Sequence, residues 1–242
     1  MSDLRSAYHQ EIEEVRSTIV RLAGSVIEAI PRATSILLEG DLEGADYLIS
    51  GDDEIDARTL DLEEEIYRLM ALQAPVAVDL RVLVSGVKIL GEIERSADLA
   101  VNICKAARRL YGHGLDPRLR GLITKMAEQA QALYTAAIDA YVDNDAAKAA
   151  AVDDMDSLLD GLQREFIQVI FESHAAGRID LQVAVQLAVV ARFYERIGDH
   201  AVNIGERVRY TVTGWLPEHD GAARFRARRD GSSVAETAEV EG

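Results

Sequence analysis

Cysteine, proline and aromatic residues are all scarce in this sequence. Cys104 is the only cysteine, so an internal disulfide is impossible and an oxidising compartment is not implied. Four prolines and an aromatic content of 5% leave few helix breakers and few residues typical of strands. Because apolar residues still make up 48% of the 242 positions, the chain can bury a core, and its composition favours a globular, helix-rich fold.

Long apolar runs are also missing. The first fifteen residues contain no signal-peptide core, and the most apolar stretch, residues 181–191, is short and interrupted by Gln182 and Gln186. We therefore expect the protein to stay in the cytoplasm.

Positive charge is in short supply, with 26 basic against 42 acidic residues and a formal net charge of -16. Proteins that bind nucleic acid or anionic lipid neutralise phosphates with cations, so both functions are disfavoured. A metal cation, or a basic patch on a protein partner, suits this acidic surface better.

Helix start and stop signals divide the chain into six predicted helical segments. Breaks rich in glycine, proline and aspartate separate the segments, and Pro31 is expected to bend the first. In the second segment, one apolar helix face is formed by Ile55, Thr59, Leu62, Ile66 and Leu69. The predicted segments are 3–38, 41–72, 76–111, 117–143, 145–174 and 178–213.

The strongest signal is an internal repeat. Residues 94–103 match residues 195–204 with seven identities in ten, at an offset of 101. Upstream, Asp79-Leu80 matches Asp180-Leu181 at the same offset. We therefore predict an all-α fold of two tandem three-helix bundles related by a pseudo-two-fold axis. The predicted domains are residues 1–112 and 113–214, followed by a disordered tail over 215–242.

Carboxylates recur one helical turn apart, next to the positions that face the core. Hard oxygen donors that converge from neighbouring antiparallel helices would form a site for Mg, Mn, Fe or Ca. A carboxylate at the edge of a core also needs a cation or strong donors to offset its burial. The candidate metal ligands are Asp52, Asp56, Glu94, Asp98, Asp153, Asp156, Glu195 and Asp199. Asp160 borders the same apolar stripe of the fifth segment, next to Leu159.

Two other interpretations remain open. The acids could form only a surface salt-bridge ladder on a structural helical scaffold, with Arg95 pairing to Glu92 and Asp98. They could also belong to a carboxylate-bridged di-metal enzyme on a helical bundle, but no histidine follows Glu94 or Glu195 at three residues, as such enzymes commonly require. We therefore expect that the protein is not an enzyme.

Other polar positions receive simpler assignments. His200 is predicted to be a solvent-exposed or partly buried histidine. Asn102 and Asn203 are predicted to donate hydrogen bonds that orient the acids. Cys104 aligns with Gly205 and is predicted to be a small packing residue.

Three stretches, residues 72–81, 94–98 and 194–203, resemble the PhoU family of phosphate-specific transport system accessory proteins. The likeness covers nearly the whole chain before the tail. The family has a paired acidic motif, Glu or Asp followed by Asp four residues later. The motif matches this chain at Asp52 with Asp56, at Glu94 with Asp98 and at Glu195 with Asp199.

The fourth motif departs from the family pattern. Val152 stands where the first acid belongs, four residues before Asp156, and Asp153 is turned by one helical residue. The site in the second half is therefore expected to bind metal more weakly or differently than the site in the first half.

The resemblance implies a negative regulator of phosphate uptake and of phosphate-starvation signalling. It implies two partners, the ATPase subunit of the phosphate transporter and a phosphate-sensing histidine kinase, through which the protein would reach the membrane. Bound iron, manganese, magnesium or zinc ions and a homodimer are expected as well.

The predicted tail generates a test. Residues after Pro217 carry no apolar stripe, so a chain that ends at Glu218 should melt within about 2 °C of the full chain. Circular dichroism at 222 nm measures both transitions. A fall of many degrees would show instead that the tail docks on the bundles.

Overall fold

The computed structural model describes residues 2–215, which form seven helices and no strand, so the all-α prediction is confirmed. Residues 216–242, where most of the predicted tail falls, lie outside the described residues. Among the helices described, none is both long enough and apolar enough to cross a bilayer. The helices are α1 (Ser2–Glu39), α2 (Leu42–Ser50), α3 (Asp52–Gln73), α4 (Ala77–Leu110), α5 (Pro117–Asp143), α6 (Ala146–Ala175) and α7 (Leu181–Thr213).

Aspartate caps determine where four of these helices begin. The Asp116 carboxylate accepts hydrogen bonds from the first free N–H groups of α5, and Asp145 and Asp180 do the same for α6 and α7. Asp41 caps α2 in this way. Each cap satisfies backbone donors that a helix start leaves unpaired and contributes about 1 kcal/mol. Because Asp180 is the cap, α7 begins three residues later than the sequence pattern suggests.

The predicted second segment is wrong in one respect, because Gly51 divides it into α2 and α3. The Gly51 N–H donates to the carbonyls of Tyr47 and Leu48, which closes α2, and α3 starts at the next residue. Glycine has low helix propensity. Ala151 occupies the equivalent position of α6, which is continuous. The bend predicted at Pro31 does not interrupt α1.

Each half of the chain forms a bundle of three long helices, as predicted. α1, α3 and α4 pack together with the short α2 in the first half, and α5, α6 and α7 pack together in the second. The apolar face predicted on the second segment is buried, except for the half-buried Ile55. Only residues 74–76 connect α3 to α4, so the two helices run antiparallel.

The two bundles share one continuous hydrophobic cluster. α4 packs along α7, and α1 packs along α5. The Arg81 Nε donates to the Thr211 carbonyl at 3.2 Å, and His200 lies against Glu92, so α4 and α7 are antiparallel. The domain boundary predicted at residue 112 falls in the loop between α4 and α5, and remains a prediction.

A buried hydrogen bond between the halves can be tested. The hydroxyls of Tyr194 and Thr34 lie 2.7 Å apart, which joins α7 to α1. Tyr194→Phe should lower the free energy of unfolding by about 1 kcal/mol, because it deletes this bond inside the core. Urea titration followed by circular dichroism measures the loss.

Tyr141→Phe is the matched control. The Tyr141 hydroxyl is buried and has no hydrogen-bond partner among the described residues, so its removal should be neutral or slightly stabilising. An equal loss in both variants would contradict the role assigned to the Tyr194–Thr34 bond.

Candidate functional site

The structure brings the first four candidate ligands together where α3 packs against α4. Asp52 and Asp56 lie one turn apart at the start of α3, and Glu94 and Asp98 lie one turn apart on α4. Partial burial, followed by the negative charge of Asp98, raises the pKa of Asp52, Asp56 and Glu94. The negative charge of Asp98 therefore opposes the ionisation of the other three acids of this first cluster.

A second cluster forms where α6 packs against α7. Burial raises the pKa of Asp156 to about 6, and the charges of Asp160, Asp199 and Asp153 add to the effect. Burial and the charge of Asp199 also raise the pKa of Glu195, whereas Arg192 opposes the rise. The charges of these candidate ligands of the second half thus act on one another.

Asp160 belongs to this second cluster, although the candidate ligand set omits it. Its charge acts on both Asp156 and Glu195. A signal was present in the sequence, because Asp160 follows Asp156 by four residues and so lies on the same helix face. The family pattern pointed instead to the position before Asp156, where Val152 is fully buried.

The acidic pair is therefore displaced by one helical turn between the halves. In the first half the pair on α3 is Asp52 with Asp56, whereas in the second half the pair on α6 is Asp156 with Asp160. Val152 does not leave the second cluster short of a carboxylate. The difference in metal affinity that Val152 suggests remains a prediction, and Asp160 weakens the argument for it.

Gly198 allows the second cluster to lie against the α7 backbone. A Cβ at position 198 would lie 2.7 Å from Asp156 Oδ1 and 2.6 Å from Leu159 Cδ2, closer than real side chains approach. Ala97 occupies the equivalent position of α4. The Asp156 carboxylate thus fills the space that a larger residue at 198 would need.

Both clusters contain a carboxylate oxygen that suits a cation. Asp52 Oδ1 and Glu195 Oε2 are buried and have no hydrogen-bond partner among the described residues. Such an oxygen is costly to bury without a donor or a cation. Within residues 2–215, however, no three His, Cys, Asp or Glu side chains are close enough to hold one ion together. The donor chemistry fits a hard cation, and the side chains would have to converge further to coordinate it.

Two polar residues have roles that differ from those predicted. His200 is only 4% exposed, and its Nδ1 lies 3.3 Å from Glu92 Oε2, while burial lowers the pKa of the imidazole. Asn203 donates to the same Glu92 carboxylate at 3.4 Å instead of orienting a candidate ligand. The predictions fail because α7 packs on α4, and that contact is not visible in the sequence.

The salt-bridge interpretation accounts for part of the pattern. Arg95 pairs with Glu92 at 2.7 Å, and Arg192 pairs with one oxygen of Glu195. No ion pair joins Arg95 to Asp98 among the residues described. Cys104 is fully buried, and burial raises the pKa of its thiol to about 11, in agreement with a packing role.

These features define a class of protein, a duplicated three-helix bundle with a carboxylate cluster in each copy. The PhoU domain family model matches residues 19–107 and again residues 123–208. The two matches correspond to the two halves of the internal repeat. The chain belongs to the PhoU family.

Curated relatives support this assignment. The Mycobacterium tuberculosis protein named phosphate-specific transport system accessory protein PhoU homolog 1 is 37% identical over 223 residues, which are 92% of this chain and 100% of the relative. A Pseudomonas putida PhoU homologue is 30% identical over 95% of this chain and 90% of its own length.

Solved structures share the fold as well. PhoU from Pseudomonas aeruginosa superposes with a TM-score of 0.81 at 29% identity, covering 86% of this chain and 100% of that protein. The phosphate transport system regulatory protein PhoU from Streptococcus pneumoniae gives 0.80 at 25% identity, covering 86% of this chain and 98% of that protein.

The raised pKa of Asp156 predicts a pH-dependent cost of folding. An unfolded aspartate has a pKa of about 3.9, so the folded protein binds more protons between about pH 4 and pH 6 and becomes more stable as the pH falls through this range. Above pH 6 the Asp156 carboxylate is ionised in both the folded and the unfolded state, so its full destabilising effect on the fold is present. Asp156→Asn should therefore raise the melting temperature by a few degrees at pH 8 and much less at pH 4.5.

Asp154→Asn is the control, because Asp154 lies on the same helix and is exposed. Scanning calorimetry at the two pH values, without divalent metal, measures all three proteins. The same gain at both pH values for Asp156→Asn would show that charge repulsion at this position is not the cause.

Proposed function

We propose that this chain is a metal-binding adaptor that restrains phosphate uptake and phosphate-starvation signalling. It would bind the ATPase subunit of the phosphate transporter and a phosphate-sensing histidine kinase. The names of its relatives, which describe accessory and regulatory proteins of phosphate transport, support the regulatory part of this proposal. The adaptor would leave the molecules that it binds chemically unchanged.

One observation carries the metal-binding part. Each carboxylate cluster holds a buried oxygen without a hydrogen-bond partner among the described residues, Asp52 Oδ1 in the first and Glu195 Oε2 in the second. A purely structural scaffold gains nothing from burying an unpaired carboxylate oxygen, because the burial costs free energy. A cation site would use such an oxygen as a ligand, and the bound ion would offset the free energy that its burial costs.

In each half, the acids of the carboxylate cluster would hold the metal. In the first half these are the four acids of α3 and α4, and in the second half they are Asp153, Asp156, Asp160, Glu195 and Asp199. A hard divalent cation or iron would supply positive charge that offsets the repulsion among the carboxylates. Measurement must determine which ion is bound among iron, manganese, magnesium and zinc.

Metal binding would couple to the shape of the first bundle. α3 buries only four side chains, Thr59, Leu62, Ile66 and Leu69, so few contacts hold it against α1 and α4. Convergence of Asp52 and Asp56 on an ion with Glu94 and Asp98 would tie α3 to α4. The adaptor would then present different faces with and without metal.

The test compares single and double variants of the two unpaired carboxylates. Manganese, iron(II), magnesium or zinc should raise the melting temperature of the wild-type protein relative to EDTA, because a ligand that binds only the folded state stabilises it. Asp52→Asn and Glu195→Gln should each lose part of this gain and part of the bound metal. The double variant should lose both almost completely, and Asp154→Asn should keep both.

Metal content by mass spectrometry checks the same five proteins. If no metal changes the melting temperature and none co-purifies, the clusters are structural and the scaffold interpretation stands. If Asp52→Asn loses more metal than Glu195→Gln, the first site is the tighter one, as Val152 in the second half suggests.

A further inference from the structure

An ion pair between residues three positions apart lies beside each carboxylate cluster, but the two pairs are not equivalent. In the first half, Arg95 pairs with Glu92 at 2.7 Å, and neither residue is a candidate ligand. In the second half, Arg192 pairs with Glu195, which is a candidate ligand. The second cluster therefore already holds a positive charge on one of its own carboxylates.

This arginine has no counterpart in the first half. At the offset of the repeat, Gly91 of α4 stands where α7 has Arg192, three residues before Glu94. Residues three apart on a helix are neighbours on its surface, so Arg192 reaches Glu195, whereas a glycine at 91 leaves Glu94 without such a partner. No ion pair reaches Glu94 within residues 2–215.

The arginine next to Glu94 is held elsewhere. Burial raises the pKa of Glu94, and Arg95 opposes this rise only through space. The Arg95 guanidinium is paired with Glu92, and Glu92 is in turn held against α7 by His200 and Asn203. The packing of α4 on α7 therefore keeps Arg95 away from the ligands of the first cluster.

In the pair of the second half, the two side chains differ in their freedom to move. The Glu195 side chain is 15% exposed, and its Oε2 is buried without a hydrogen-bond partner among the described residues. The Arg192 side chain is 56% exposed, so it can rotate into water while the carboxylate stays in the cluster. A cation that binds the second cluster must therefore displace the guanidinium from Glu195.

The number of carboxylates alone does not make the second cluster the weaker one. Asp160 joins the four candidate ligands there, and its charge acts on both Asp156 and Glu195. By charge alone, the second cluster would attract a cation at least as strongly as the first. The Arg192 guanidinium already offsets part of this charge, and breaking its charge-assisted hydrogen bond reduces the net affinity for a metal ion.

We propose that Arg192 is an internal counterion that occupies Glu195 until a metal ion displaces it, so that the first cluster fills at a lower metal concentration than the second. This rests on the proposed metal-binding function and describes how that function responds to metal concentration. The chain then has three states: no ion bound, the first site filled, and both sites filled. The order of filling follows from the exchange of Gly91 for Arg192 between the two copies and does not require Val152.

Calorimetric titration of the metal-free chain tests the proposal. The probes are manganese(II), magnesium(II), zinc(II) and, under nitrogen, iron(II), each titrated alone into protein treated with EDTA. The wild-type chain should show two binding steps. Asp52→Asn should weaken or remove the tighter step, and Glu195→Gln the weaker one, which assigns each step to one cluster.

Removal of the Arg192 charge should strengthen the second site. In the Asp52→Asn background, Arg192→Met keeps the aliphatic stem, removes the guanidinium and should tighten the remaining step by about three- to tenfold. Arg192→Lys keeps a positive charge and should tighten it less. Arg196→Met is the matched control, because it removes the same charge from an exposed position of α7 that has no ion pair with Glu195 among the described residues. It should change the affinity by less than about twofold.

The reverse exchange tests the same role in the first half. In the Glu195→Gln background, Gly91→Arg should place a guanidinium beside Glu94 and weaken the remaining step by about three- to tenfold. A Cβ at position 91 would lie 3.2 Å from Arg95 Nη1, which is the end of a flexible side chain and can move aside. Gly91→Gln adds a side chain without charge and should weaken the step less. Circular dichroism confirms that each variant is folded.

The contrary outcomes separate this inference from the proposed function. Equal affinities of Arg192→Met and Arg196→Met at the second site would overturn the counterion role and leave metal binding standing. A second site that fills before the first in the wild-type chain would overturn the order of filling. If none of the four metals binds the wild-type chain or any variant, the proposed metal binding fails, and this inference fails with it.

Discussion

The antiparallel packing of α4 against α7 is the contact on which the rest of the structure depends. It joins the two copies of the repeat through one continuous hydrophobic cluster, and it leaves α3 and α6 on the flanks. Each carboxylate cluster therefore lies where a flanking helix packs against one helix of this central pair, α3 against α4 in the first half and α6 against α7 in the second. The same packing buries His200 against Glu92, where the symmetric positions, Leu99 and Phe193, are apolar. Duplication therefore produced a pseudo-symmetric interface in which the contact of His200 with Glu92 has no counterpart in the other half.

The carboxylate clusters oppose folding, and this is informative about their role. Burial and mutual repulsion raise the pKa of at least two acids in each cluster, and each cluster buries one oxygen without a hydrogen-bond donor. Natural proteins keep such local costs mainly where function needs them. The two halves place their acidic pairs differently, because the pair of α6 is displaced by one turn from that of α3. The clusters are therefore similar in charge but not in geometry.

The two bundles also differ in how firmly the flanking helix is held. Gly51 separates α2 from α3, and an open pocket of about 360 Å³, lined by α1, α2, α3 and α4, reaches Asp52. α6 is a single continuous helix that buries larger residues such as Phe166. The first cluster is thus carried by a helix with few buried contacts, whereas the second lies on a helix that is packed along its length. A ligand bound at the first cluster would therefore restrict the position of its flanking helix more than a ligand bound at the second.

The sequence by itself determined the helical class and the duplication, and it indicated the eight candidate ligands, because each depends on local spacing or on comparison of the chain with itself. Helix periodicity placed Glu94 beside Asp98, and the antiparallel connection of residues 74–76 brought Asp52 and Asp56 to them. Only the tertiary structure decided what faces what across the α4–α7 contact. His200 was assigned to solvent or partial burial and Asn203 to the acids, because neither Glu92 nor its helix is near them in the sequence. Asp160 joined the second cluster for a related reason, since its effect on Glu195 arises only when α6 lies against α7.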